Sequence, residues 1–366
     1  MTRQCQQLWG GRGQKSRVGR LQMGKDDYYL VDADLSYGDG FSFAGGMYSQ
    51  EPGPYEEWQE RGKIVEAYAL RGAKGEVKDP IFGLKMGENS QTGESGLRWF
   101  YVEEGEESAP PVVLLHGVPS QAYSYRKVLP ILAEAGYRVI APDWLGFGFS
   151  DKPQPGPSFS YGLDEYQKAL GSFLDALSLE KVTLVAQGHL APAAIRWATS
   201  NPDRVERLVL LNAPVTSQHA KLPGALSTFS TFLLGEVFAQ DPIKASDSTL
   251  NSCGPYVLDE QDAMVYRRPY LTAGMAGFAL TAVTRALNKE LKGAIEVCQK
   301  ELARWSVPTT LMWGRKDYWL KFDGVQEFAR SANVPLVELD QVGHHAQEDY
   351  GEVVGEALRM ELRRQA

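Results

Sequence analysis

Short apolar runs alternate with stretches of helical spacing through the middle of this chain, and the alternation breaks once. Residues 97–103, 112–115, 138–141, 182–186 and 205–211 are brief apolar runs of strand length. Between them, 125–135, 163–177 and 191–200 place apolar side chains at helical intervals. This order predicts a mostly parallel sheet flanked by helices. From 216 to 305 the pattern is helical, with breakers at Pro223, Asp241-Pro242 and Cys253-Gly254-Pro255. Strands resume at 309–313 and 336–339, and a helix over 351–364 follows. A helical insert between sheet strands predicts a cap over the strand ends, where open α/β sheets bind ligands.

The division that follows is a core of 96–215 and 306–366, with a helical cap of 216–305. Two segments precede it. Residues 1–25 carry Arg3, Arg12, Lys15, Arg17, Arg20 and Lys25 and no acid, the composition of an organelle transit segment or of an added tag. Residues 26–95 form an acidic, aromatic, glycine-rich extension. Within it, 26–60 has Asp and Glu but no basic residue, interleaved with Tyr28, Tyr29, Tyr37, Phe41, Phe43, Tyr48, Tyr55 and Trp58. It lacks the periodicity of a helix or strand. A tail lying on its own domain is the favoured reading, because aromatics this dense bury somewhere; a segment that docks on a protein partner is the other.

The net charge of −8 argues against nucleic acid as a partner, since phosphate binding needs a basic face. No apolar stretch reaches the roughly 20 residues of a membrane-spanning helix. Cys5, Cys253 and Cys298 match no zinc spacing and read as buried or incidental thiols. No motif for a metal, nucleotide or other cofactor is present, so none is expected.

Four landmarks carry the chemistry. His116-Gly117-Val118-Pro119 follows the strand at 112–115, where a glycine lets backbone N–H groups approach a developing oxyanion. Asp143 to Pro153 alternates glycines with aromatics and reads as a scaffold loop. Gln187-Gly188-His189-Leu190-Ala191 lies between a strand and a helix, the setting of a nucleophile elbow. Its tip falls on Gly188, which offers no hydroxyl, carboxylate or thiol. Gln187 and His189 are poor substitutes, because their side chains leave the turn in other directions. Finally, Asp317 lies just past one strand and His344 just past the next. Such an order pairs a base with the carboxylate that orients it. His345 reads as a structural neighbour.

Together these segments resemble the α/β-hydrolase superfamily, in particular its haloalkane dehalogenase and epoxide hydrolase branch. The likeness covers 97–364 and rests on LLHGVPSQAYSYR, PDWLGFGFSDKP, LVAQGHLA, WGRKD and GHHAQED. It implies an α/β-hydrolase fold with a helical cap inserted between sheet strands. It also implies an oxyanion hole from the backbone N–H groups of Val118 and His189. The stretches Leu250 to Tyr256 and Val265 to Leu271 are similar to plant and algal plastid members, which implies a chloroplast location; a cytoplasmic one is the alternative.

The departures fall at the chemistry. Gly188 stands where the dehalogenases have the nucleophilic aspartate, His189 where they have a halide-holding tryptophan, and Val118 where some have an asparagine. Dehalogenation is therefore not expected. Three readings remain. The pair His344–Asp317 acts as a non-covalent base on a small apolar substrate; the chain is an inactive relative that binds a ligand or protein; or a nucleophile such as Ser120 arrives from elsewhere. Phe229, Phe232, Leu233, Leu234, Phe238, Met264, Tyr266, Tyr270, Phe278 and Leu280 in the cap either line an apolar pocket or pack on the sheet.

Overall fold

The computed structural model describes residues 53–70, 76–78, 85–88, 96–239, 250–271 and 277–364. The basic segment 1–25 and residues 26–52 lie outside them. Strands β1 (Lys63–Ala67), β2 (Glu76–Lys78), β3 (Lys85–Glu88), β4 (Leu97–Glu104), β5 (Pro111–Leu115), β6 (Arg138–Pro142), β7 (Val182–Gln187), β8 (Val205–Leu211), β9 (Thr309–Gly314) and β10 (Leu336–Leu339) form two sheets. The larger has the order β1-β4-β6-β5-β7-β8-β9-β10, and β2 pairs with β3 alone. Every pairing from β6 to β10 is parallel, whereas β4 runs antiparallel to both β6 and β1. This is the mostly parallel α/β sheet that the alternation predicts.

Side chains along the central strands divide between two cores, as the twofold alternation of a strand requires. Val113, Leu115, Leu184, Ala186, Leu208, Leu210 and Leu311 face the helices Leu163–Ala176, Ala191–Ser200 and Gly277–Leu302. Val112, Leu114, Val185, Val209, Leu211 and Met312 face Val128–Glu134 and Gly351–Arg363. With both faces covered, β7 and β9 are buried at every position.

Two expectations need correction. The extension drawn at 26–95 includes part of the core, because residues 54–61 form a helix and 63–67 the sheet's edge strand. The helix Pro54–Arg61 has proline in its first turn with Glu56 and Glu57, and Arg61 in its last, which suits the helix dipole. Its one deeply buried side chain, Trp58, stacks edge-on against Tyr123 at 5.1 Å between ring centroids. Strand β1 alternates weakly and carries Lys63 and Glu66, as an exposed edge does. Secondly, Phe232, Leu233 and Leu234 face solvent, 73%, 50% and 56% exposed, whereas Phe229, Tyr266, Tyr270 and Leu280 are buried.

The cap is fastened to the core by a polar cluster. The Arg126 guanidinium donates two hydrogen bonds of 2.7 Å to Glu348 and one of 2.5 Å to Asp262 of the helix Glu260–Leu271. Tyr123 and Tyr266 donate to the same two carboxylates. Trp58→Ala is expected to destabilise the domain by about 3–5 kcal/mol in urea unfolding. An unchanged midpoint would place the first helix outside the cooperative core.

Candidate active site at the strand ends

Four consecutive strands deliver the site at their C-terminal ends: β7 ends in Gly188, β8 in Asn212, β9 leads to Asp317 and β10 to His344. The turn after β7 is tight. A single 3₁₀ turn, Gly188–Leu190, joins the strand directly to the helix Ala191–Ser200. Gly188 has φ +68°, the left-handed region that glycine enters without the steric penalty of a Cβ. A Cβ built there would sit 3.3 Å from His344 Nε2 and 3.2 Å from the Gly117 Cα. The elbow tip thus faces the imidazole across the backbone of the His116-Gly117-Val118 loop. A Cβ on Gly117 would lie 2.4 Å from Gln187 Oε1, so the Gln187 side chain would have to move to admit one.

His344 and Asp317 meet as the spacing predicts, with Nδ1 2.8 Å from Oδ2. The carboxylate is heavily bonded. Its Oδ2 also accepts from Asn212 Nδ2 at 2.7 Å, and its Oδ1 accepts from the amides of Trp319 and Leu320, each at 2.7 Å. Burial pushes His344 down to about 3 and Asp317 up to about 7, the latter opposed by those donors. With the imidazole neutral and Nδ1 donating to Asp317, Nε2 is left as an acceptor aimed at Gly188. It has no partner among the described residues.

The surroundings are closed. His344 has no exposed surface, and the rings of Trp319, His345 and His189 stand 5.0, 5.0 and 5.3 Å from it. From the cap, the Cys253 carbonyl accepts from the amides of His344 at 3.3 Å and Tyr318 at 3.0 Å. Gln187 Nε2 holds the His344 carbonyl at 2.9 Å. The cap loop is therefore bonded to the loops carrying both members of the pair.

His116 serves the scaffold. Its Nδ1 bonds the Gly117 carbonyl at 2.8 Å, and its Nε2 accepts from the Trp144 amide at 3.0 Å. Val118 and His189, whose amides are the expected oxyanion donors, are both buried. Ser120 Oγ has no hydrogen-bond partner among the described residues, so no base engages it. Cys253 and Cys298 are free and buried. No group of His, Cys, Asp and Glu among the described residues could hold a metal ion. No helix there is long and apolar enough to cross a membrane.

Sequence reading missed Asn212 and Trp319. Asn212 supports both partners of the acid loop, donating to Asp317 and accepting from the Gly314 amide at 2.8 Å. Its signal was a lone asparagine at the end of an apolar strand, which has no pattern to mark it.

His345 and His189 have unpartnered ring nitrogens, and burial holds both well below the usual imidazole range. A folded-state pKa below the unfolded one means that the unfolded chain takes up the proton first. The stability from such a group is present above about pH 6.5 and is lost as pH falls. His345→Phe removes one such group. It is expected to gain about 2 kcal/mol on the parent protein between about pH 7.5 and pH 5, read by denaturant unfolding at each pH. A difference independent of pH would show that His345 takes up its proton equally in the folded and unfolded chains.

The comparisons with known proteins agree with the fold. The α/β hydrolase fold family model matches residues 110–349. A haloalkane dehalogenase of Mycolicibacterium paratuberculosis is 30% identical over 265 residues, covering 72% of this chain and 86% of that protein. One from Psychrobacter cryohalolentis is 44% identical over 119 residues, which is 39% of its length. Among solved structures, the haloalkane dehalogenase DbeA from Bradyrhizobium elkani superposes with a TM-score of 0.64 at 23% identity, covering 82% of this chain and 97% of that one. An ancestral haloalkane dehalogenase gives 0.60 at 26% identity, covering 73% and 95%. The chain belongs to the α/β-hydrolase fold family, with haloalkane dehalogenases among its relatives.

Proposed function

We propose that this chain is a hydrolase-fold binding protein that has lost covalent hydrolysis and keeps His344–Asp317 as a buried tie. The observation that carries the reading is Gly188 itself: the atom facing His344 Nε2 belongs to a residue without a side chain. A covalent intermediate needs an atom there to form it. Loss of a triad nucleophile lowers turnover by about a millionfold. The rings of Trp319, His189 and His345 support the reading further, because they fill the space around the base. Dehalogenation also lacks halide-holding side chains, with His189 and Val118 at those positions.

One observation favours a second reading. Nε2 of His344 is unpartnered and neutral, as a general base acting on water would be. The same experiment separates the two. The purified protein is expected to hydrolyse p-nitrophenyl butyrate and to release halide from 1-bromohexane at the rate of buffer alone. Gly188→Asp and Gly188→Ser are expected to stay at that rate, because the Cβ alone would stand 3.2 Å from the Gly117 Cα and 3.3 Å from His344 Nε2, which leaves little room for a reacting group and a substrate. Turnover above buffer that disappears in His344→Ala would replace the binding reading with the base reading.

A plastid setting, and a protein partner for the part of residues 26–60 that precedes the first helix, belong to the same proposal. The acid-free, arginine-rich 1–25 and the acidic, aromatic 26–60 support them. Residues 1–60 fused to a fluorescent protein are expected to direct it to plastids in plant cells; diffuse cytosolic signal would remove that part.

A further inference from the structure

The cap presents an apolar tip to solvent, and its backbone is built to hold it there. Phe232, Leu233, Leu234 and Val237 are 73%, 50%, 56% and 62% exposed. Leu234 and Val237, three residues apart, share a face of the helix Leu234–Phe238. Leu233 has φ +66° and ψ −48°, and the Leu234 amide donates to the Phe232 carbonyl at 2.9 Å. That is a γ-turn of the rare, strained kind, here centred on leucine rather than glycine. Its base is gripped by neighbours. The Gly235 amide donates to the Thr231 carbonyl at 2.7 Å, and a Cβ on Gly235 would lie 2.1 Å from the Phe229 carbonyl oxygen. From the helix Gly277–Leu302, Arg285 Nε donates to the Ser230 carbonyl at 3.3 Å and Asn288 Nδ2 to Ser230 Oγ at 2.6 Å. A strained turn thus holds three consecutive apolar side chains in water, where folding gains nothing from them.

The size and charge of the tip narrow what covers it. Its four side chains offer on the order of 400 Å² of apolar surface, half of the about 800 Å² that each partner gives a stable protein interface. A phenylalanine 73% exposed stands out from the surface rather than lining a groove. Lys289 and Lys292 are exposed and lie one helical turn beyond Arg285 and Asn288, on the face that grips the tip. The two acids beside Lys289 are occupied elsewhere: Glu236 Oε1 accepts from Arg285 Nη2 at 2.7 Å, and Glu290 Oε2 from the Leu163 amide at 2.8 Å. A small apolar tip flanked by cations matches a lipid interface, where apolar side chains enter the acyl boundary and lysines stay among the headgroups. We infer that the cap docks on an anionic lipid surface, with Phe232, Leu233, Leu234 and Val237 inserted and Lys289 and Lys292 on the headgroups. Such docking needs no membrane-spanning helix, and it holds whether or not the His344–Asp317 pair turns over substrate.

Flotation of the full chain with vesicles of phosphatidylglycerol and phosphatidylcholine tests this. Binding is expected. It should fall at least about tenfold in the double variant Phe232→Ser/Leu234→Ser, which loses only exposed apolar surface and is expected to keep its Tm. Lys289→Gln/Lys292→Gln is expected to weaken binding severalfold. Residues 1–25 are basic and can hold anionic vesicles by charge alone, so insertion is read as well. Phe232→Trp is expected to show fluorescence quenching by brominated acyl chains beyond that of the parent protein. Absence of binding, undiminished binding of the folded double serine variant, absence of the added quenching, or equal binding to phosphatidylcholine alone would each overturn the inference. So would a dimer in sedimentation that the double serine variant abolishes, because a second copy would then cover the tip.

Discussion

Everything at the strand ends depends on one backbone crossing. At Gly188 the chain leaves β7 with φ +68° and enters a helix after a single 3₁₀ turn, with Gly117 pressed against it. Two glycine backbones close together leave no volume for side chains on the facing sides. That closeness fixes the loop after β5, aims the turn at His344 and decides what the site can contain. A residue with a Cβ at 188 would have to accept both the left-handed conformation and contacts near 3.2 Å. With glycine at 188 neither cost arises.

Around that crossing, the polar interior is uneven. Asp317 receives four hydrogen bonds and His116 uses both ring nitrogens, so these groups are settled parts of the scaffold. His189, His345 and Nε2 of His344 have no partners among the described residues. The settled groups hold loops to strands, whereas the unsettled ones cluster around His344.

The fold was legible because its central strands are buried on both faces. The apolar run at 112–115 lies within β5, the stretches at 205–211 and 336–339, each interrupted by charge, coincide with β8 and β10, and the helix at 191–200 matches as well. The elbow and the acid–base pair were legible because strand ends project to one edge, so their order along the chain carries their position in space. The edge strand β1 was not, since Lys63-Ile64-Val65-Glu66-Ala67 solves an edge's problem with charge and shows no apolar run. The first helix buries essentially one residue, Trp58, too little for periodicity to register. Phe232, Leu233 and Leu234 misled for the opposite reason: apolar spacing marks a face, and nothing in it says whether the face is covered.

The pairing of His344 with Asp317 has an energetic basis that needs no reaction to explain it. Removing Asp317 would strand the donors of Asn212, Trp319 and Leu320 and the Nδ1 of His344 in a buried site; each unmet group costs about 1–3 kcal/mol. Removing the imidazole would leave a buried carboxylate short of a partner and a hole between Trp319, His189 and His345. Glycine at 188 carries no such penalty, because the left-handed turn favours it. The fold therefore depends on 317 and 344 for buried hydrogen bonds and on 188 for its backbone conformation. The buried His344–Asp317 pair is accounted for as part of the core, because its hydrogen bonds alone give the fold a reason to keep it.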